Sequence, residues 1–202
     1  MGRILSVALS GRRNANIKIG DTVVVFAQGP IGLCATAGAR LMGATIIIGV
    51  DGNEHRLGIA KRMGADITLN FKNCDVVAEV MKITGGRGAD ASIEALGTQS
   101  TFESALQVLK PGGTLSSLGV YSSDLKIPLT AFAAGLGDHK INTALCPGGK
   151  ERMRRLMGVI ESGRVDLGLM LTHRFKLDDI VAAYDLFSHQ RDGVLKVAIT
   201  PG

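Results

Sequence analysis

At 202 residues, with 46% apolar, 20% charged and 4% aromatic side chains, the chain is sized for one good domain plus an appendage, and its 27 glycines follow no fibrous repeat. A formal net charge of +5 admits an anionic ligand or nucleic acid, but the basic residues are dispersed and few aromatics are present to stack bases, which argues against nucleic acid as a partner. No stretch approaches the ~20 uninterrupted apolar residues that span a bilayer, so no membrane partner is expected.

Residues 1–16 carry basic positions without an amphipathic period and read as an irregular leader. The turn Ile17-Lys18-Ile19-Gly20-Asp21 feeds an almost wholly apolar strand, Thr22–Phe26, of the kind buried on both faces. The spacing then predicts a helix over Ile31–Met42 stopped by Gly43, a strand over Thr45–Val50, a helix over Glu54–Met63, and a strand over Ile67–Asn70. A helix over Asp75–Ile83 and a strand over Ala91–Ala95 follow. Next come a helix over Ser100–Leu109, closed by Lys110-Pro111-Gly112-Gly113, and a strand over Thr114–Val120. Strict strand–helix alternation means parallel strands joined by right-handed crossovers, and the predicted fold class is α/β, a doubly wound parallel sheet with a C-terminal helical and strand extension.

Beyond Tyr121 the rhythm changes. Leu125–Leu129 is short and contains proline, and Lys140–Leu145 reads as a further strand. Cys146-Pro147-Gly148-Gly149 then opens a helix over Lys150–Ser162. A helix over Leu177–Ser188, with Asp178 and Asp179 near its positive end, and a strand over Val194–Thr200 close the chain. The densest basic group, Lys150, Arg152, Arg154 and Arg155, reads as a solvated helix face. The predicted division is a leader over 1–16, a nucleotide-binding domain over 17–146 and a C-terminal segment over 147–202.

The chemistry sits where the first strand meets the first helix, at Ala27-Gln28-Gly29-Pro30-Ile31-Gly32. In the dinucleotide fingerprint three glycines serve the tight turn, the approach of backbone to pyrophosphate, and close helix–strand contact. Gly29 and Gly32 take the second and third places. Ala27 replaces the first, which a turn accepts if that residue keeps φ below zero. Pro30 suits a first helical turn, and the amides behind it, around Ile31 and Gly32, would face the diphosphate. Asp51, nineteen residues past Gly32 at the end of the second strand, can accept from the adenosine ribose hydroxyls and would repel the extra phosphate of NADP. The competing reading makes it the start of an ordinary Asp51-Gly52-Asn53 turn. NAD is therefore the expected cofactor, with Arg56 beside the ribose or adenine. Gly97 and Gly119, after the fourth and fifth strands, would let a flat cofactor approach the main chain, or are simply turn glycines.

Hydride transfer needs a group that polarises the substrate oxygen. His55, His139, His173 and His189 form no ligand cluster, Tyr121 and Tyr184 have no Lys four residues on, and Cys34, Cys74 and Cys146 show no metal spacing. No catalytic and no metal-binding residues are assigned. Scattered cysteines without a signal-peptide pattern lead us to expect a reducing cytoplasm.

Several stretches together resemble the zinc-dependent medium-chain alcohol dehydrogenases, in their bacterial secondary-alcohol branch. These are Lys18-Ile19-Gly20-Asp21-Thr22-Val23, Gly29-Pro30-Ile31-Gly32, Gly43-Ala44 and Val50-Asp51, then Leu145-Cys146-Pro147-Gly148-Gly149, Gly163-Arg164-Val165-Asp166-Leu167, Leu171-Thr172-His173 and Leu195-Lys196-Val197. The resemblance implies that Gly29, Pro30, Ile31 and Gly32 form the pyrophosphate loop, Asp51 the ribose acid and Arg56 the basic residue beside the adenosine. It implies further that Gly119 and Val120 meet the nicotinamide, and that Lys196 approaches the pyrophosphate. The family's separate zinc-holding catalytic domain has no counterpart in this sequence, so the chain is expected to be a truncated product or excised coenzyme portion, unable to oxidise alcohols by itself. Its C-terminal segment then lacks a packing partner.

Three readings remain in competition. The first is the NAD-binding part of a dehydrogenase; the second is a non-enzymatic NAD-binding module forming homo-oligomers through the sheet-edge strand 140–145. The third is a methyltransferase, which also uses a Gly-rich turn and an acid after the second strand. Pro30 and the spacing to Asp51 argue against it.

Overall fold

The computed structural model describes residues 14–143 and 149–201. Its main sheet is six-stranded and wholly parallel, formed by β1 (Thr22–Phe26), β2 (Ile46–Asp51), β3 (Ile67–Asn70), β4 (Ala89–Glu94), β5 (Leu109–Ser117) and β6 (Lys140–Thr143). The spatial order β3-β2-β1-β4-β5-β6 is that of the doubly wound dinucleotide-binding fold, with the reversal of winding between β1 and β4. The connecting helices are α1 (Pro30–Leu41), α2 (Glu54–Arg62), α3 (Val76–Ile83) and α4 (Gln99–Gln107).

The apolar run of β1 is explained by burial on both sides. Val23 and Val25 pack into one core with Leu33, Ile47 and Ile93; Val24 and Phe26 pack into the other with Ile48, Phe102, Leu106 and Leu115. At the strand's start, the Thr22 amide donates to Asp90 Oδ2 at 2.8 Å, and Asp90 also pairs with Lys110. Burial would raise the Asp90 pKa, but the Lys110 side chain and the Thr22 amide outweigh it and hold the carboxyl below its usual range.

Local chemistry sets most helix starts. Asn53 accepts from the His55 and Arg56 amides at 2.9 and 3.3 Å, and Asp75 accepts from Val77 and Ala78 at 3.0 and 3.1 Å. Thr98 caps α4 through the Thr101 amide at 3.3 Å. Helix α1 differs: Gly29 occupies its cap position, Pro30 its first turn, and no side chain among the described residues caps its free amides.

Three sequence expectations need correction here. The Lys110–Gly113 stretch is not a turn ahead of the fifth strand. That strand begins at Leu109, and pairing jumps from Ala89–Leu109 to Ala91–Thr114, so the Pro-Gly-Gly segment is looped out of a ladder that resumes beyond it. The strand also ends at Ser117 rather than Val120. The predicted helix over Leu177–Ser188 opens with a 3-10 turn, Leu177–Asp179, before α6 (Ile180–Ser188).

The C-terminal part holds α5 (Lys150–Glu161), a 3-10 turn over Leu167–Met170, and strands β7 (Leu171–Lys176) and β8 (Lys196–Thr200). These two strands form a separate parallel pair, with α6 in the crossover between them. Strand β7 was not anticipated, and β8 starts two residues later than expected. The basic stretch at the start of α5 is tied by Glu151, which accepts from both Arg154 and Arg155 at 2.8 Å. Leu145 and Cys146-Pro147-Gly148 lie outside the described residues, as do residues 1–13 of the leader. No helix among the described residues is long and apolar enough to cross a membrane.

Candidate functional site

A cleft of about 560 Å³ opens at the C-terminal edge of the sheet, beside the point where β1 and β4 part. Its lining includes Phe26 and Ala27 at the end of β1, Asp51 and Arg56 after β2, and Leu96, Thr98 and Thr101 after β4. Parallel sheets place ligand sites at this edge because the strand order reverses there and leaves a crevice between outgoing loops.

Asp51 is 7% exposed and ends β2. Its Oδ2 accepts the Gln28 amide at 2.7 Å and its Oδ1 the Asn53 amide at 2.9 Å. A carboxylate has about four acceptor positions, so about two remain open toward the cleft. The Gln28 bond locks the glycine loop to β2, which makes Asp51 a structural brace as well as a free acceptor. Gln28 is itself fully buried, donating to the Val25 carbonyl at 2.8 Å and accepting from the Thr36 hydroxyl at 2.9 Å.

The loop's two glycines have separate tasks. A Cβ on Gly32 would overlap the Ala27 carbonyl oxygen and lie 2.8 Å from its carbon, so the turn and α1 touch where only hydrogen fits. A Cβ on Gly29 would meet nothing within 4 Å; it would stand in open space before the helix N-terminus. That clearance, with the uncapped α1 amides behind it, suits a diphosphate. Ala27 departs from expectation: its φ is +68°, in the left-handed region, rather than negative. The turn demands a glycine geometry, and alanine adopts it under strain.

Arg56 lines the cleft, yet its Nε is buried with no partner among the described residues, and its Nη2 donates at 3.4 Å to Gln190 Oε1. Lys72 and Phe71 also line the cleft, lying across Gly52, where a Cβ would fall 2.5 Å from Phe71 Cζ and 3.0 Å from Lys72 Cε.

Gly97 and Gly119 do not line this cleft. They press against each other where the β4 and β5 loops meet, a Cβ on Gly97 falling 2.8 Å from the Val120 carbonyl carbon. Val120 is 89% exposed beside them. Lys196, at the start of β8, also lies outside the cleft. It is near enough to α1 for its charge to oppose the burial that pushes the Cys34 thiol up to about 12.

Sequence reasoning missed the group that fixes the two loops. Glu94, fully buried at the end of β4, accepts the Leu96 and Gly97 amides at 2.8 Å, the Thr101 hydroxyl at 2.8 Å and the Tyr121 hydroxyl at 2.7 Å. Burial first, and the neighbouring Glu94, push the Tyr121 phenol up, so it stays a hydrogen-bond donor. An acid ending an otherwise apolar strand was the available signal. For Gln190 there was none, since it reaches the cleft from 134 residues away.

The open space before Gly29, the free acceptors of Asp51 and the orphaned Arg56 Nε suit an adenine dinucleotide. Zinc finds no such fit: among the described residues no three His, Cys, Asp or Glu side chains converge.

Comparison with known proteins agrees with the geometry. The chain is 79% identical over 198 residues to an alcohol dehydrogenase of Cupriavidus necator, covering 98% of this chain and 54% of the relative. It is 33% identical over 199 residues to the NADP-dependent isopropanol dehydrogenase of Thermoanaerobacter brockii, covering 97% and 56%. The solved alcohol dehydrogenase TADH from Thermus sp. ATN1 superposes with a TM-score of 0.86 at 28% identity, over 98% of this chain and 56% of that one. The chain thus spans about half the length of these relatives. Residues 30–162 match the family model described as zinc-binding dehydrogenase, and the chain belongs to that family.

Proposed function

We propose that this chain is the NAD-binding portion of an alcohol dehydrogenase-like oxidoreductase, which in full-length form passes hydride between a secondary alcohol or ketone and NAD. The observation that carries the reading is the Asp51 carboxylate, buried in the cleft with acceptor positions to spare and bonded to the Gln28 amide of the glycine loop, whose Gly29, Pro30, Ile31 and Gly32 stand just outside the cleft lining. Asp51 would take the adenosine ribose hydroxyls, Arg56 would flank the adenosine, and Ile31 and Gly32 amides would meet the diphosphate in the space before Gly29. Gly97, Gly119 and Val120 would border the nicotinamide, held in place by Glu94, and Lys196 would lend positive charge on the α1 side. Bound NAD supplies a ring carbon that accepts the hydride. The described residues bind and orient; polarising the alcohol oxygen falls to groups outside them.

Residues 17–146 act as the coenzyme domain, and 147–202 as the part that faces the remaining half of the protein. The exposed Val181 and Tyr184 on α6, beside an apolar groove of about 210 Å³, support that assignment. Two copies associate along β6, whose outer edge pairs with no strand among the described residues. Free thiols at Cys34 and Cys74 suit a cytoplasmic setting.

The T. brockii relative is NADP-dependent, so the choice of coenzyme is the point to test. Calorimetric titration should show NAD binding at least about tenfold tighter than NADP, a preference of about 1.4 kcal/mol, and Asp51→Asn should narrow it. Tighter binding of NADP, or no heat with either, would overturn the proposal.

A further inference from the structure

The turn between α6 and β8 lies against the mouth of the cleft, and its construction is unusual for a surface connection. Gln190 and Asp192 both adopt left-handed backbone, φ +49° and +51°, although neither is glycine. Such residues cost about 1–2 kcal/mol each and persist only where the surroundings over-determine them. Here the surroundings do so from both sides. Asp192 Oδ2 meets His173 Nε2 of β7 at 3.2 Å, and Arg191 pairs with Asp185 of α6. On the other flank Gly193 packs on α2, where a Cβ would sit 3.0 Å from His55 Cδ2. The strain therefore holds one side chain, Gln190, in the cleft lining opposite Arg56.

The pair those two residues make is incomplete. Gln190 Oε1 accepts from Arg56 Nη2 at 3.4 Å, at the long end of a hydrogen bond, while Arg56 Nε is buried and unpartnered. A desolvated guanidinium donor without a partner is costly, and the cost is recovered when a ligand supplies acceptors. With Oε1 committed to Arg56, the Gln190 amide N–H groups are the ones left to donate, and adenosine offers acceptors on both its base and its sugar.

We propose that Gln190 is a coenzyme-binding residue: with Arg56 it grips the adenosine end, so that occupancy of the cleft ties the C-terminal strand pair to the main sheet. This rests on the coenzyme reading above and adds to it a recognition residue from the opposite end of the chain.

The test uses the whole chain and the variant Gln190→Gly. Glycine accepts φ +49° without strain, so the variant removes the side chain while relaxing the turn, and its melting temperature should hold or rise. Calorimetry with NAD and with AMP should show both affinities lowered by the same factor, about fivefold or more, because only the adenosine half is touched. Nicotinamide mononucleotide should bind wild type and variant alike. NAD and AMP affinities within about twofold of wild type, in a variant that melts normally, would overturn the proposal. A drop for NAD but not for AMP would do so too. Failure of the wild-type chain to bind either nucleotide would overturn this proposal together with the reading beneath it.

Discussion

The contrast between Gly32 and Gly29 can be turned into an experiment with opposite outcomes at two positions three residues apart. In Gly32→Ala the new methyl would overlap the Ala27 carbonyl oxygen and stand 2.8 Å from its carbon. Ordinary carbon–carbon contact is about 3.5–4.0 Å, so turn and helix must separate by at least about 0.7 Å. Neither side yields easily, because the turn is pinned by the Asp51–Gln28 bond and α1 is buried along Leu33, Cys34 and Ala35. Overpacking of this kind costs about 3 kcal/mol, which in a domain of this size lowers the melting temperature by about 6–12 °C. In Gly29→Ala the methyl meets nothing, and at φ −70° the backbone is ordinary, so the protein should melt as wild type does. If a diphosphate occupies the space in front, that methyl strikes the ligand, and NAD affinity should fall about tenfold or more. Melting curves and calorimetry on both variants decide the matter. A Gly32→Ala protein that melts within about 2 °C of wild type would refute the steric argument, and a Gly29→Ala protein that binds NAD normally would refute the placement of the diphosphate.

Two further outcomes follow from individual residues. Ala27→Gly releases a left-handed alanine; relief of about 1–2 kcal/mol, set against the extra freedom glycine has when unfolded, should leave a net gain of roughly 0.5–1 kcal/mol in denaturant midpoint experiments. Asp90 has a carboxyl pKa held below its unfolded value, so its stabilising share is present above about pH 4 and is lost as pH falls through the folded value. Asp90→Asn should lower stability by about 1–2 kcal/mol at neutral pH and flatten the acid limb of a stability–pH curve; an unchanged limb would refute the assignment.

The parts of the fold that could be read from the sequence are those where one local signal dominated. Strands β1 and β3 fall on their predicted bounds, because each is a short run between turn residues. Helix α2 starts at Glu54 as expected, after its cap Asn53, whereas α3 starts one residue later than expected, because Asp75 marks the start but belongs to the turn. Strand β7 was invisible for a physical reason. Its residues Leu-Thr-His-Arg-Phe-Lys are only half buried in a two-stranded pair, so no strong apolar pattern was needed. The Lys-Pro-Gly-Gly stretch misled because turn chemistry does not distinguish the end of a strand from an excursion within one. In the site, Asp51, Arg56 and the glycine loop could be named because their spacing is local. The Glu94 cluster and Gln190 could not, because their partners are delivered by topology from positions 101, 121 and 56.

The strand order carries a consequence for how the protein is made. The Thr22 amide bonds to a carboxylate 68 positions further along the chain, and β1 takes β4 as its second neighbour. Once β2 has emerged and while β3 is still being translated, the strongly apolar β1 has a single companion and one bare edge. Long-range parallel pairing of this kind is slow and exposes sticky intermediates. The interval before β4 emerges is therefore when a growing chain most needs a chaperone, and slow codons placed before β4 would lengthen its exposure.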